Sequence, residues 1–432
     1  MRVVSFQVRG CPAGWLGLYG NEWVVTPQLD RLAVESVVFD RHISDSPHPD
    51  AADAVWLGTT RPCGLLATLR LRGVKSFLVR ANHPETDRPD WFYAGWDEVF
   101  DFRPQQEDDS PLDALVSGFP DLLRRLAAVP EFLLWVEIDR LLPPWEVSQK
   151  VFEAYLLEDD DEPPEEPEKS EEPDEPVEPD ERPGSPPQEE VQKKEGQTGP
   201  APTGGTDAEA IPPWYDPPTG PFDNSDPEAY AWLQASFAAV VTALDMELGE
   251  LFETLRQNRF DESAAWLVTS DYGYPLGEHG QIGLYRPWLH EELVHLPLLL
   301  RLPGAAGAGR RVYALTQPAD AAATVLDLFG CEPAEGFSLL PLTHGRAQVI
   351  REYAISRLEL HGAAEQAIRT DDWALLWPLR VPDGETRTPL LYAKPDDRWE
   401  VNNLYARNIE RADELAAVLR KALGPAPGAT GA

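Results

Sequence analysis

Ala264-Ala-Trp-Leu-Val-Thr-Ser-Asp-Tyr-Gly273 is an apolar run that stops abruptly at a hydroxyl, a carboxylate and a glycine. A run of this length with polar bounds predicts a buried strand over Ala264–Thr269, ending at Ser270-Asp271. Immediately before it lies the longest helical periodicity in the chain. From about Pro227, the residues Ala229, Trp232, Leu233, Phe237, Val240, Val241, Leu244, Leu248, Leu251 and Leu255 recur at spacings of three and four. Working outward, strand-like and helix-like runs continue to alternate. Val3–Val8, Val37–Phe39, Val74–Val79, Phe132–Ile138 and Leu296–Leu300 read as strands. Thr26-Pro27 opens a helix, with Thr26 as N-cap, Pro27 in the first turn and Leu29, Leu32 and Ala33 on one face. This alternation predicts an α/β fold with a mainly parallel sheet.

Past Leu342 the pattern shortens to strands at Glu352–Ser356, Ala367–Thr370, Trp373–Leu376 and Pro389–Tyr392, closed by a helix near Glu410–Leu423. We read an α/β domain over 1–345, a small C-terminal α+β subdomain over 346–423 and a flexible tail over 424–432. The first domain is interrupted at 158–213. That segment is Pro, Glu, Asp, Gly and Thr with almost no large apolar residue, so it cannot bury enough surface to offset the entropy of ordering. It is expected to be a disordered acidic insert.

Charge and cysteine usage narrow the function. Of the net charge of −37 on 432 residues, the stretch Glu158–Glu195 carries 18 Asp/Glu against 4 Lys/Arg, and the remainder is still acidic. An acidic chain without a basic stripe has no means of displacing counterions from nucleic acid or anionic membrane, so neither is expected as a partner. Cys11, Cys63 and Cys331 are too few and too scattered for a disulfide framework or a thiolate metal site. The start Met1–Arg9 is too short and polar for a signal peptide, and no window reaches the ~18 apolar residues of a membrane span. The expected location is the cytoplasm.

Four blocks, in order, resemble the sulfatase family of the alkaline phosphatase superfamily. Trp15-Leu-Gly-Leu-Tyr-Gly-Asn21, Thr26-Pro-Gln-Leu-Asp-Arg-Leu-Ala33 and Val38-Phe-Asp-Arg41 look like its opening. Phe132-Leu-Leu-Trp-Val136 through Pro143-Pro-Trp145 is similar to its central strand and following loop. Thr269-Ser-Asp-Tyr-Gly273, Leu276-Gly-Glu-His-Gly280, Leu289-His-Glu-Glu292 and Leu296-Pro-Leu-Leu-Leu-Arg-Leu-Pro-Gly304 look like its second metal block. Gly336-Phe-Ser-Leu-Leu-Pro-Leu342, Ala367-Ile-Arg-Thr-Asp371 and Asn402-Asn-Leu404 match its C-terminal signature. The resemblance implies a twisted sheet with helices on both faces and a site at the carboxyl ends of its strands. Activity does not transfer with the fold.

The chemistry implied by the resemblance needs a divalent cation, a nucleophile in a Cys/Ser-x-Pro-x-Arg motif, and cations for the sulfate oxygens. Counting back from Leu16-Gly17, the first metal carboxylate falls on Arg9 and its neighbour on Gly10. The plain alternative is that Arg9 is an unrelated surface arginine at a strand end. The nucleophile falls on His48 or Pro49, and the motif arginine on Ala52 or Asp53, with no Cys or Ser there in either register. Asp50 and Asp53 suit a helix start but would repel a dianion. Asp271 retains a ligand-type residue, whereas Tyr272 replaces the next one and reads as a core or rim aromatic. His279 is retained, and Arg286, four residues before His290, stands where the family has a lysine. The loop histidine falls near Leu141 or Leu142, both apolar.

The expectation is therefore a sulfatase-type hydrolase fold whose conventional activity is absent, a pseudoenzyme that binds an unidentified protein or a small anionic ligand. Asp271, Tyr272, His279 and Arg286 would be remnants of its substrate pocket. No cofactor is predicted. The alternative is a sulfuric or phosphoric ester hydrolase with a rebuilt site, in which Asp50, Asp53, Asp271 and His48 would hold Ca2+ or Mg2+. Because Arg9 and Asp271 both follow strand ends at one sheet edge, they are expected to form an ion pair where the metal would sit. Three decoys fall away. The two histidines of His290-Glu-Glu-Leu-Val-His295 are five apart, not four, so they diverge on a helix. Gly14, Gly17 and Gly20 lack dinucleotide-fingerprint spacing and read as turn glycines. Gly304 to Gly309 is expected to be a loop between a strand and a helix, with no phosphate-loop Lys-Ser/Thr after it.

Overall fold

Parallel strands buried on both faces cannot alternate apolar with polar residues, and the centre of this molecule shows why its strands read as continuous apolar runs. β1 (Arg2–Val8) lies between β5 (Phe132–Ile138) and β6 (Ala264–Thr269), parallel to both. Every residue of β5 and β6 is buried. Successive side chains of β1 feed opposite cores: Val4, Phe6 and Val8 pack on one face of the sheet, Val3 on the other. A computed structural model describes residues 1–57, 64–81, 89–102, 111–156, 211–333, 335–382 and 386–423.

The remaining strands of this sheet are β2 (Val37–Ile43), β3 (Lys75–Arg80), β4 (Glu98–Asp101), β7 (Leu298–Arg301) and β8 (Arg310–Thr316). Their order is β8-β2-β7-β6-β1-β5-β3-β4, with the short strand His295–Leu296 added on β2. β7 runs antiparallel to both of its neighbours, and the other pairs along this order are parallel. On one face lie α1 (Pro27–Val34), α4 (Pro111–Leu126) and the 31-residue α5 (Pro227–Gln257). On the other lie α2 (Pro49–Leu57), α3 (Leu65–Arg72) and α6 (Pro318–Leu328), whose Trp56, Leu69, Val325 and Leu326 share a core with β5 and β6. A second sheet is antiparallel, β9 (Ala354–Leu360), β10 (Ala363–Arg369), β11 (Trp373–Arg380) and β12 (Leu390–Ala393), in that order. α7 (Ile409–Leu423) closes it with Ala412, Leu415 and Leu419 against Ile368, Leu375 and Leu391.

The chain divides into two compact units, Met1–Leu156 with Pro213–Ala432, and Leu157–Pro212. Both sheets belong to the first. The expected acidic insert at 158–213 lies outside the described residues except for its last three, and so do Cys63 and the tail at 424–432. No helix among the described residues is long and apolar enough to cross a membrane.

Three expectations need correction. Thr26 precedes α1 but its hydroxyl does not cap it, because that oxygen accepts the Gly17 N–H at 2.9 Å. The cap comes from α5, whose buried Asp245 accepts the N–H groups of Gln28 and Leu29 at 2.9 and 2.8 Å. The loop around Gly304–Gly309 joins two strands, β7 and β8, not a strand and a helix. β8 has no apolar run to announce it, since it starts on Arg310 and Arg311 at the edge of the sheet. β2 runs four residues past Phe39, its polar Asp40, Arg41 and His42 held by pairing with β8 and the His295–Leu296 strand.

Candidate functional site

β1 and β6 are in register through Gln7 and Thr269, so the residues two further on, Arg9 and Asp271, emerge side by side. Arg9 Nε lies 3.5 Å from Asp271 Oδ2 and 3.8 Å from Glu137 Oε1 of the neighbouring β5. The three side chains are only 6, 4 and 1% exposed. The expected ion pair is therefore present, and a second carboxylate joins it. Asp271 Oδ1 also accepts the backbone N–H groups of Tyr272 at 2.9 Å and Gly10 at 3.3 Å. Sequence reading takes Glu137 only as part of a core strand. Its signal is an acid inside an apolar run, a residue type rarely buried unless paired.

Backbone geometry locks this corner. Gly10 sits at φ +71°, bridges Gly273, and faces Leu142, whose Cδ2 would lie 2.6 Å from any Cβ at position 10. At Gly273 a Cβ would fall 1.9 Å from the carbonyl oxygen of Glu292, so only glycine lets that segment approach. The Ser270 hydroxyl donates to Tyr272 O at 2.8 Å and accepts from Cys11 N at 3.1 Å. Burial, reinforced by the Asp271 charge, pushes the Cys11 thiol up to about 12, which keeps it protonated and unreactive.

A divalent cation of the kind the fold implies needs several free oxygens around one point. Here a guanidinium occupies the approach to Asp271, and two backbone N–H groups use its other oxygen. Among the described residues, no group of three or more His, Cys, Asp or Glu side chains could hold a metal ion. The residues do not fit the metal. At the nucleophile position, the His48 carbonyl accepts the Ala52 N–H at 2.9 Å in the first turn of α2. Pro49 and Asp53 belong to that helix, Ala52 is buried and Asp50 is exposed. The Ser44 hydroxyl donates to the Asp271 carbonyl at 3.5 Å, while the Ser44 carbonyl accepts from Ser356.

His279 and Arg286 serve other contacts. His279 Nδ1 pairs with Glu292 at 2.7 Å, its ring stacks on His290 at 3.7 Å, and Nε2 faces the Glu400 carbonyl at 3.3 Å. The Arg286 guanidinium lies over the Trp288 ring at 3.7 Å. Around Glu400 a buried charge network ties the 289–292 segment to the second sheet. Its carboxylate takes His290 Nδ1 at 2.9 Å, Arg369 at 3.0 Å and Lys394 at 3.2 Å, and Lys394 also reaches Glu291 at 3.1 Å. Burial raises the Glu400 carboxyl, but the Arg369 and Lys394 cations and the His290 bond outweigh it and hold it at about 2. Burial likewise lowers His279, and the Glu292 carboxylate outweighs that to raise it to about 9. Glu400 takes a left-handed backbone, φ +56°, a strain worth roughly 1–3 kcal/mol that these partners over-determine. Sequence reading misses Glu400, Arg369 and Lys394 because they lie about a hundred residues from the 289–292 segment they meet.

Beside the strand ends opens a cavity of ≈ 420 Å³, lined in part by Leu142, Asp216, Thr219, Tyr272, Tyr274 and Leu284. Tyr272, 5% exposed, both lines this cavity and packs in a buried cluster with Ile43, Leu289 and Leu293.

A large, mainly parallel sheet flanked by helices, followed by an antiparallel C-terminal sheet, defines the class: the α/β fold of solved sulfatases and phosphonate monoester hydrolases. Known proteins agree with it. Solved structures superpose over nearly the whole chain, among them a phosphonate monoester hydrolase of Agrobacterium radiobacter (TM-score 0.66, 16% identity, 97% of this chain and 94% of that one). A 2-O GAG sulfatase gives a TM-score of 0.63 at 15% identity, covering 97% and 92%. The family model described as Sulfatase matches residues 201–331. N-acetylglucosamine-6-O-sulfatase of Bacteroides thetaiotaomicron is 33% identical over 205 residues, 44% of this chain and 36% of that protein. Arylsulfatase K of Canis lupus familiaris is 28% identical over 202 residues, with the same coverage. Residues 201–331 are thus similar to sulfatases in sequence, and the chain spans about a third of the length of these curated relatives.

Proposed function

We propose that this chain is a sulfatase-like protein without sulfatase turnover, retained as a binding or scaffold protein. One observation carries the reading: Arg9, 3.5 Å from Asp271 and 3.8 Å from Glu137, puts a fixed cation where the chemistry of the fold requires a metal. A guanidinium repels a divalent ion and cannot be deprotonated to make way for one. The nucleophile position supports the same reading, with His48 and Pro49 at the start of α2 in place of a Cys or Ser. Without metal and nucleophile, neither Lewis-acid activation nor covalent attack on sulfur has a group to perform it.

The test is metal analysis of the purified full chain together with turnover of phenyl sulfate and phenyl phosphate. Sub-stoichiometric metal, and no turnover above that of Asp271→Ala, is the expected result. Stoichiometric divalent metal with turnover abolished by Asp271→Ala would overturn the proposal in favour of a rebuilt hydrolase.

A further inference from the structure

The cavity beside the strand ends has lost the electrostatics of an anion site. The described cations nearest to its lining in sequence are engaged elsewhere, Arg140 with Glu247 at 3.5 Å and Arg286 over Trp288, and Arg9 lies in its buried carboxylate pair. Leu142, which packs on Gly10 at the turn after Arg9, and the buried Tyr272 line the cavity, and Arg9 is not among the described lining residues. What lines the space is two tyrosine rings, leucine and proline side chains, Thr219, and the exposed carboxylate of Asp216. Burial first, the Tyr272 phenol second and the Asp216 carboxylate last push the Tyr274 phenol well above its ordinary value. The hydroxyls of Thr219 and Tyr274 converge, since a Cβ at Gly283 would meet both at 3.0 Å. That makes a polar end for the cavity, with no positive charge among the described lining residues.

We infer that this cavity binds a small organic cation, an ammonium group on an apolar or aromatic body, and not the anionic ester that the fold accommodates elsewhere. The ammonium faces the Asp216 carboxylate, and the body lies along the wall of Leu142, Pro143, Tyr272 and Tyr274. A volume of ≈ 420 Å³ is at the size of ordinary small-molecule sites. The net charge of −37 raises the local concentration of cations and lowers that of sulfate esters. A sulfate ester would meet Asp216 and find no compensating charge among these lining residues.

The inference rests on the reading of this chain as a binding protein, and the experiment separates the two. The full chain is titrated with benzylamine, benzyl alcohol and phenyl sulfate at constant ionic strength, with amide shifts or heat as the signal. Benzylamine is expected to saturate and to bind about threefold more tightly than the alcohol, the scale of one exposed charge contact. Asp216→Asn is expected to remove that difference with an unchanged melting temperature, since Asp216 is exposed, while the exposed helical control Asp413→Asn leaves it intact. Phenyl sulfate binding as tightly as benzylamine, absence of benzylamine saturation, or full benzylamine preference in Asp216→Asn would each overturn the inference. Turnover of phenyl sulfate would instead sink the inactive-protein reading, without deciding which ligand this cavity prefers.

Discussion

Replacing Arg9 by methionine removes the one guanidinium from between two carboxylates that are 4 and 1% exposed. Methionine fills a similar volume, so the loss is electrostatic more than steric. Breaking a buried ion pair from one side costs roughly 3–5 kcal/mol, because the partner charge loses its cation in a desolvated setting. Unfolding entropy for a domain of this size is roughly 0.7 kcal/mol per kelvin, which converts that cost into a melting temperature about 4–7 °C lower. Differential scanning calorimetry in EDTA measures it. The combined change Arg9→Met with Asp271→Asn and Glu137→Gln should recover most of the loss, since it removes the charges along with the cation. Arg9→Asp carries the logic further. A third carboxylate beside Asp271 and Glu137 should destabilise more than methionine in EDTA and be rescued by millimolar Ca2+, which the wild-type chain should not feel. An Arg9→Met chain that melts with the wild type, or a wild-type melting temperature that rises in Ca2+, would refute the assignment of Arg9 as the stand-in for a metal.

Four further outcomes follow from the charge network and the glycines. His279 titrates at about 9 when folded against an ordinary 6.5, so its stabilising contribution is complete below pH 6.5 and disappears as pH rises through 9. The melting gap between wild type and His279→Gln should therefore be widest at pH 6 and close by about pH 10. Glu400 has the opposite sign. Held at about 2 against an ordinary 4.5, it stabilises fully above pH 4.5 and loses this as pH falls through 2, so the gap to Glu400→Gln should narrow between those values. Gly273→Ala should cost more than ~4 kcal/mol or prevent folding, because the new methyl meets the Glu292 carbonyl at 1.9 Å. Gly362→Ala, at φ +80° with nothing within 4 Å, should cost only ~1 kcal/mol in denaturant melts.

The strands Phe132–Ile138 and Ala264–Thr269 stand where the sequence reading places them, because a central parallel strand covered on both faces must be apolar throughout. The Arg9–Asp271 pair is legible too, since neighbouring parallel strands in register put equivalent positions side by side at one sheet edge. Edge and surface elements are not. β8 begins on two arginines, and the cap of α1 comes from Asp245, more than two hundred residues away. Nor can a one-dimensional pattern show what His279 and Arg286 do, because a retained residue type does not say which contact it keeps. The sulfatase-like sheet is written in local runs and spacings, and the amino-acid order alone suffices for it. The folded chain was needed to show that Glu137 joins Arg9 and Asp271, that Glu400 gathers Arg369, Lys394 and His290, and that Asp216 shares a cavity with two tyrosines. Those are meetings between distant parts of the chain, set by packing and desolvation, and no local pattern encodes them.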